Sequence, residues 1–71
     1  MENLNYKTVY SFMVGDWTGN NGREVWGGFE KKEEVIDLIK RCSYIEMPGL
    51  NVFQKGTALA WVACDAILIN P

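Results

Sequence analysis

The chain has 71 residues, 48% of them hydrophobic, which fits one globular domain and excludes disorder. Its net charge of −2 argues against nonspecific binding to a phosphate backbone, because such binding needs concentrated positive charge. A domain of this size hides only about 60% of its unfolded surface, so its stability is expected to be marginal without added support. Residues 1–71 are therefore predicted to form a single domain.

Charge is unevenly distributed along the chain. Residues 1–46 hold six of the seven basic residues and eight of the nine acidic residues, whereas residues 47–71 contain only Lys55 and Asp65. The last third of the chain is therefore expected to be core or interface.

The sequence favours a cytoplasmic protein without a membrane segment. The apolar run 58–69 is too short to span a bilayer, and the first residues lack the pattern of a secretory signal. Two cysteines do not make a disulfide framework. We expect Cys42 and Cys64 to be buried, reduced thiols where the helix meets the last strand.

The first half of the chain predicts a β-hairpin. Residues 4–17 alternate between apolar and polar side chains, as a half-buried strand does. The pair Asn21-Gly22 then predicts a tight type I′ turn, which needs positive φ at both central positions. Such a turn places Trp17 directly opposite Trp26 as a cross-strand aromatic pair.

Residues 30–42 are predicted to form an α-helix. Acidic residues lie near its start and basic residues near its end, which suits the helix dipole, although no residue of a capping type precedes it. Apolar residues recur at 3.6-residue spacing: Val35, Ile36, Leu38, Ile39 and Cys42.

The last third of the chain predicts a second hairpin. Pro48-Gly49 suits a type II turn, and segments 50–54 and 57–69 follow as strands. Residues 57–69 could also form a helix, since Thr57 could cap it and its alanines are good helix formers. That helix would be apolar almost all round, which a small domain can scarcely bury, so a strand is favoured.

These elements predict an α+β fold of order ββαββ, with a four-stranded, mainly antiparallel sheet and one helix packed on one face. Alternation along the last strand puts small residues on the helix side and large ones on the other side. One helix covers only one sheet face, so the large residues are predicted to need another cover: Leu59, Trp61 and Ile67.

The sequence predicts no catalysis, no metal and no cofactor. It contains no histidine, the commonest general base and metal ligand, and its two cysteines lack zinc-site spacing. Segment 16–22 partly matches a calcium loop, but its glycine is one position late and Gly27 replaces the bidentate glutamate. The helical carboxylates are interpreted as solvated surface charge: Glu30, Glu33, Glu34 and Asp37.

Exposed aromatic and apolar residues are left as the candidate binding site: Trp17, Trp26, Arg23, Trp61, Leu59 and Ile67. Tryptophan is enriched at protein interfaces, although hairpin and core packing explain these side chains equally well. We therefore predict a small non-enzymatic protein-binding module, an adaptor or inhibitor of the kind a phage encodes, that associates with itself and with another protein. The alternative is a binder of nucleotides or single-stranded nucleic acid through the Trp17/Trp26 surface, which the sparse positive charge argues against.

Overall fold

A computed structural model describes residues 5–69, which form one antiparallel sheet with a single helix across one face. The strand order is β2-β1-β5-β4-β3. The elements are β1 (Asn5–Asp16), β2 (Arg23–Phe29), α1 (Lys32–Arg41), β3 (Ile45–Met47), β4 (Val52–Lys55) and β5 (Ala58–Ile69).

The predicted class, an α+β fold with an antiparallel sheet and one helix, is confirmed. The four-stranded ββαββ order is not, because β3 is a fifth strand. Its three residues are too few for alternation to be visible in the sequence. Leu4, which was predicted to begin the first strand, lies outside the described residues.

The turn between β3 and β4 is the predicted type II turn. Gly49 has φ of 78°, and the Leu50 amide donates a hydrogen bond to the Met47 carbonyl at 3.3 Å. Positive φ at the third position is what glycine supplies in this turn. The turn therefore joins two paired strands, since Met47 pairs with Val52.

The segment that could have been helix or strand is a strand. All twelve residues of β5 pair with β1, from Asp16 opposite Ala58 to Asn5 opposite Ile69. A two-residue turn precedes β5, because Lys55 pairs with Ala58, and positive φ at Gly56 alone is the pattern of a type II′ turn. Near its start β5 lies between β1 and β4. This central position buries apolar residues that a helix of the same sequence would leave exposed.

The core lies between α1 and one face of the sheet. The complete absence of solvent exposure at Ala60 agrees with the expectation that small residues on this face let the helix lie close. The buried cluster draws residues from β1, α1, β4 and β5: Phe12, Val35, Ile39, Phe53 and Ala60.

The helix is shorter at its start than predicted. Lys31 is extended, with φ of −125° and ψ of 134°, and its side chain caps nothing, so the uncapped segment 30–31 stays outside the helix. No helix in residues 5–69 has the length and hydropathy needed to cross a membrane.

The end of α1 is fixed by a left-handed residue and by a lysine. Ser43 has φ of 71°, and the amides of Ser43 and Tyr44 bond back to the carbonyls of Lys40 and Ile39 at 3.0 and 3.4 Å, as in a Schellman motif. The ammonium of Lys55 donates to the Cys42 carbonyl at 2.9 Å. This places a positive charge at the negative end of the helix dipole.

The central strands extend beyond the rest of the sheet. β2 pairs with β1 only between Tyr10 and Val14, and β4 pairs with β5 only as far as Ala60. Residues 5–9 and 65–69 therefore form a two-stranded ribbon, which we call the arm. The molecule is accordingly elongated, with extents of 49 × 22 × 22 Å.

On the outer edge of β5 in the arm, one backbone amide is hydrogen-bonded by a neighbouring side chain. The carboxylate of Asp65 accepts a hydrogen bond from the Ala66 amide at 2.9 Å. Lys55 and Ala58 pair across a two-residue turn, so the amides of alternate β5 residues, including that of Ala66, point away from β1. The Ala66 amide faces the side on which β4 pairs with β5 earlier in the strand.

Candidate functional site

The connection between β1 and β2 is a loop of residues 17–22, so the predicted two-residue turn is wrong. Only Asn21 of the pair Asn21-Gly22 has positive φ, and a type I′ turn needs it at both. Asp16 explains the difference. Its carboxylate accepts hydrogen bonds from the amide of Thr18 at 2.9 Å, the amide of Asn20 at 3.0 Å, the side-chain amide of Asn21 at 2.9 Å and the Thr18 hydroxyl.

The Asp16 carboxylate is a structural group of this loop. The hydrogen bond from the Thr18 hydroxyl, aided by those from Asn20 and Asn21, holds the pKa of Asp16 below its usual value, although partial desolvation opposes the shift. Among residues 5–69, no three His, Cys, Asp or Glu side chains come close enough to hold a metal ion.

Acid is expected to weaken the fold partly through this loop. Because the pKa of Asp16 is lower in the folded chain, its ionised form stabilises the fold above the unfolded value of about 4, and this contribution is lost as the pH falls through the folded value. Asp16→Asn should therefore flatten the acid limb of stability, measured as the urea midpoint between about pH 2 and pH 7.

Glu30 is a second carboxyl whose lowered pKa contributes to the loss of stability in acid. The Lys7 ammonium hydrogen-bonds to Glu30 and lowers its pKa, so Asp16→Asn with Glu30→Gln should give a flatter limb than either change alone. An acid limb unchanged by Asp16→Asn would contradict the assigned role of this carboxylate.

Trp17 and Trp26 do not face each other, contrary to the sequence prediction. They are 68% and 60% exposed, but Trp26 pairs with Phe12 beside a β-bulge, and Trp17 lies in the loop after Asp16. Phe12 and Asp16 are about 13 Å apart along the strand. The Trp26 ring instead packs 6.0 Å from the Phe29 ring. The bulge and the longer loop shift the register that a tight turn would have set.

Trp61 and Leu59 lie on the sheet face away from the helix and are half-buried. A Cβ atom on Gly15 would be 2.7 Å from the Trp61 ring, and one on Gly22 would be 2.9 Å from it. The absence of side chains at these two glycines therefore leaves the space in which the indole packs. Ile67 is 48% exposed and six residues from Trp61, about 20 Å along the strand. The structure therefore does not bring these three predicted residues into one patch.

The basic residues considered for a nucleic-acid surface are dispersed. Arg23 pairs with Val14 at the start of β2, Lys7 forms an ion pair with Glu30, and Lys55 is bonded to the end of α1. The lysines therefore have structural partners, and their charges are not gathered beside the exposed tryptophans.

The cysteine prediction is half right. Cys42 is half-buried and packs against the core, but Cys64 is exposed on β5 opposite Tyr10. Ala60 lies in the buried cluster and Val62 packs against it, whereas Cys64, two residues further along β5, is exposed. Both thiols are free.

The arm exposes residues that were not predicted as a site. Tyr6 and Leu68 are direct cross-strand partners, and they are 60% and 50% exposed. Alternation places both on the helix side of the sheet. Their exposure was hidden from the sequence because it depends on where the helix ends above the sheet.

A groove of about 360 Å³ separates β2 from α1. One wall is aromatic and comes from the strand, and the other is mainly polar and comes from the helix. Its lining residues are Trp26, Phe29, Glu34, Asp37, Leu38 and Arg41.

These surfaces do not assign the chain to a known group of proteins. No protein-family model, curated protein or solved structure matches it. The function is therefore inferred from the chemistry of the residues themselves.

Proposed function

We propose that the protein is a small, non-enzymatic binding module, a cytoplasmic adaptor or inhibitor that associates with a second copy of itself and with another protein. The observation that carries self-association is the arm. It exposes Tyr6 and Leu68 on the helix side of the sheet and Ile67 on the opposite side, each about half exposed or more.

The low stability expected of a two-stranded ribbon supports the proposal that another surface packs on the arm. A two-stranded ribbon alone in water is marginally stable at best, and among residues 5–69 no third strand pairs with this one, in which Val9 is buried but Tyr6 and Leu68 are exposed. Burying each large apolar side chain contributes about 2 kcal/mol, which is substantial for a domain of this size. A second copy presents the same apolar pair, so a two-fold contact through the Tyr6/Leu68 face is self-complementary.

Binding is favoured over catalysis by the chemical groups present. The sequence has no histidine, and general-base or nucleophile chemistry depends most often on one. Several acidic side chains have structural partners: Asp16 orders its loop, Glu30 pairs with Lys7, and Glu46 pairs with Lys40.

A protein partner is favoured over nucleic acid by the arrangement of rings and charges. Stacking on bases needs aromatic side chains beside basic ones along one track. Trp17 and Trp26 belong to different surfaces, and Lys7 and Lys55 are engaged within the fold.

Sedimentation tests the role of the arm. The wild-type protein is expected to sediment as a dimer or larger at high micromolar concentration, whereas Leu68→Glu should sediment as a monomer near the chain mass of 8.1 kDa, because it places like charges in the contact. Ile45→Glu is the matched control, since Ile45 is exposed on β3 outside the arm, and it should behave as the wild type. A wild-type monomer at this concentration would refute self-association.

A further inference from the structure

The groove between β2 and α1 combines an open aromatic surface with carboxylates. Trp26 is largely exposed and tilts against Phe29, with an angle of 54° between the ring planes. Glu34 and Asp37 stand one turn apart on the facing side of the helix and line the same groove. The face of a tryptophan ring attracts cations more strongly than other aromatic rings do.

The carboxylates of the groove are not neutralised by a salt bridge. Within residues 5–69 the ion pairs are Lys7–Glu30 and Lys40–Glu46. Arg41 lines the end of the groove without forming an ion pair with Asp37 or Glu34, so the groove carries two negative charges and one positive charge. The net charge of the groove is negative, like that of the whole chain.

We infer that this groove binds a basic side chain, an arginine or a lysine, on the surface of a partner protein. An arginine fits better, because its planar guanidinium stacks on an indole and donates two parallel hydrogen bonds to a carboxylate. The phosphate groups of nucleic acid are repelled by the same charges. The inference rests on the proposed function as a protein-binding module, but it concerns a surface separate from the arm.

The test uses a tetra-arginine amide peptide as the probe, titrated by calorimetry into the full chain. Glu34→Gln, Asp37→Asn and Trp26→Leu are each expected to weaken binding about two- to fivefold, the factor that corresponds to one exposed cation–π or ion-pair contact. Arg41→Gln should strengthen binding, because it removes the competing positive charge.

Matched controls separate this groove from general attraction to an acidic protein. Glu33→Gln removes an equal charge from the same helical turn outside the groove lining, and Trp17→Leu removes the other exposed indole. Both should bind the peptide as the wild type does. Equal weakening by Glu33→Gln and Glu34→Gln, or no measurable peptide binding, would overturn the inference.

Failure of this inference is distinguishable from failure of self-association. Leu68→Glu should change the sedimenting mass and leave the affinity for tetra-arginine unaltered. A dimer that does not bind the peptide would refute the groove alone, and a monomer that binds it selectively would refute the arm contact alone.

Discussion

Ile39→Ala is expected to lower the free energy of unfolding by about 2–5 kcal/mol, the range for removing most of a buried isoleucine side chain. Ile39 has no exposed surface and lies in the buried cluster with Phe12 and Phe53. A single core in a chain of this size rarely supplies more than about 3–5 kcal/mol. The variant should therefore be largely unfolded, or close to it, at room temperature.

The control for this change is the same substitution at an exposed position. Ile45 is 75% exposed, so Ile45→Ala should change stability by no more than about 0.5 kcal/mol. Urea unfolding followed by far-ultraviolet circular dichroism measures both variants, at one protein concentration because association adds to apparent stability. Equal destabilisation by the two changes would show that the core is not under the helix.

Gly15→Ala is expected to destabilise the domain by about 1–3 kcal/mol, the usual effect of forcing an extra group into a packed site. Gly15 does not have positive φ, so its backbone conformation accepts alanine. The strand propensity of alanine is no lower than that of glycine and does not oppose the change. The added Cβ, however, would lie 2.7 Å from the Trp61 ring and 2.8 Å from the Asn20 carbonyl oxygen. The neighbouring indole and loop must shift.

A double-mutant cycle separates the two contacts. In a Trp61→Ala background the ring is gone, so Gly15→Ala should lose much of its effect and retain the part caused by the Asn20 carbonyl. Thermal and urea unfolding of the four proteins measure the coupling. Additive effects would show that the indole does not lie over Gly15.

The elements that could be predicted from sequence are those with long local patterns. The apolar stripe of α1 and the alternation of β1 each persist along the whole element, so burial reinforces the same periodicity throughout. The pattern of β5 was open between helix and strand, and the strand was favoured only because a helix apolar almost all round could scarcely be buried. Asn21-Gly22 failed as a tight turn because the Asp16 carboxylate binds the loop amides, a competition that a dipeptide signal does not contain. Gly22 instead accommodates the Trp61 indole.

The candidate site was harder to predict because it depends on distant parts of the chain. The exposure of Trp26 and Ile67 agrees with the sequence expectation, but the pairing of Trp26 is changed by extra residues on β2, which shift the register on both sides of the Phe12–Trp26 pair. Cys64 was expected to be buried, but it is exposed. Side-chain cover of this kind depends on where elements end in space, which periodicity does not report.

The hydrogen bond from the Ala66 amide to Asp65, at the edge of β5, bears on aggregation of the protein at high concentration. The stretch 61–69 is apolar except for this residue, and a long uncharged edge of that composition is a template for endless strand addition into fibrils. Asp65 occupies the Ala66 amide and adds a charge that stacked, in-register copies would bring together. We therefore expect this carboxylate to oppose amyloid-like growth, as charged gatekeeper residues do in natural strands, and the contact proposed between two copies uses the side-chain faces of the arm instead of this edge.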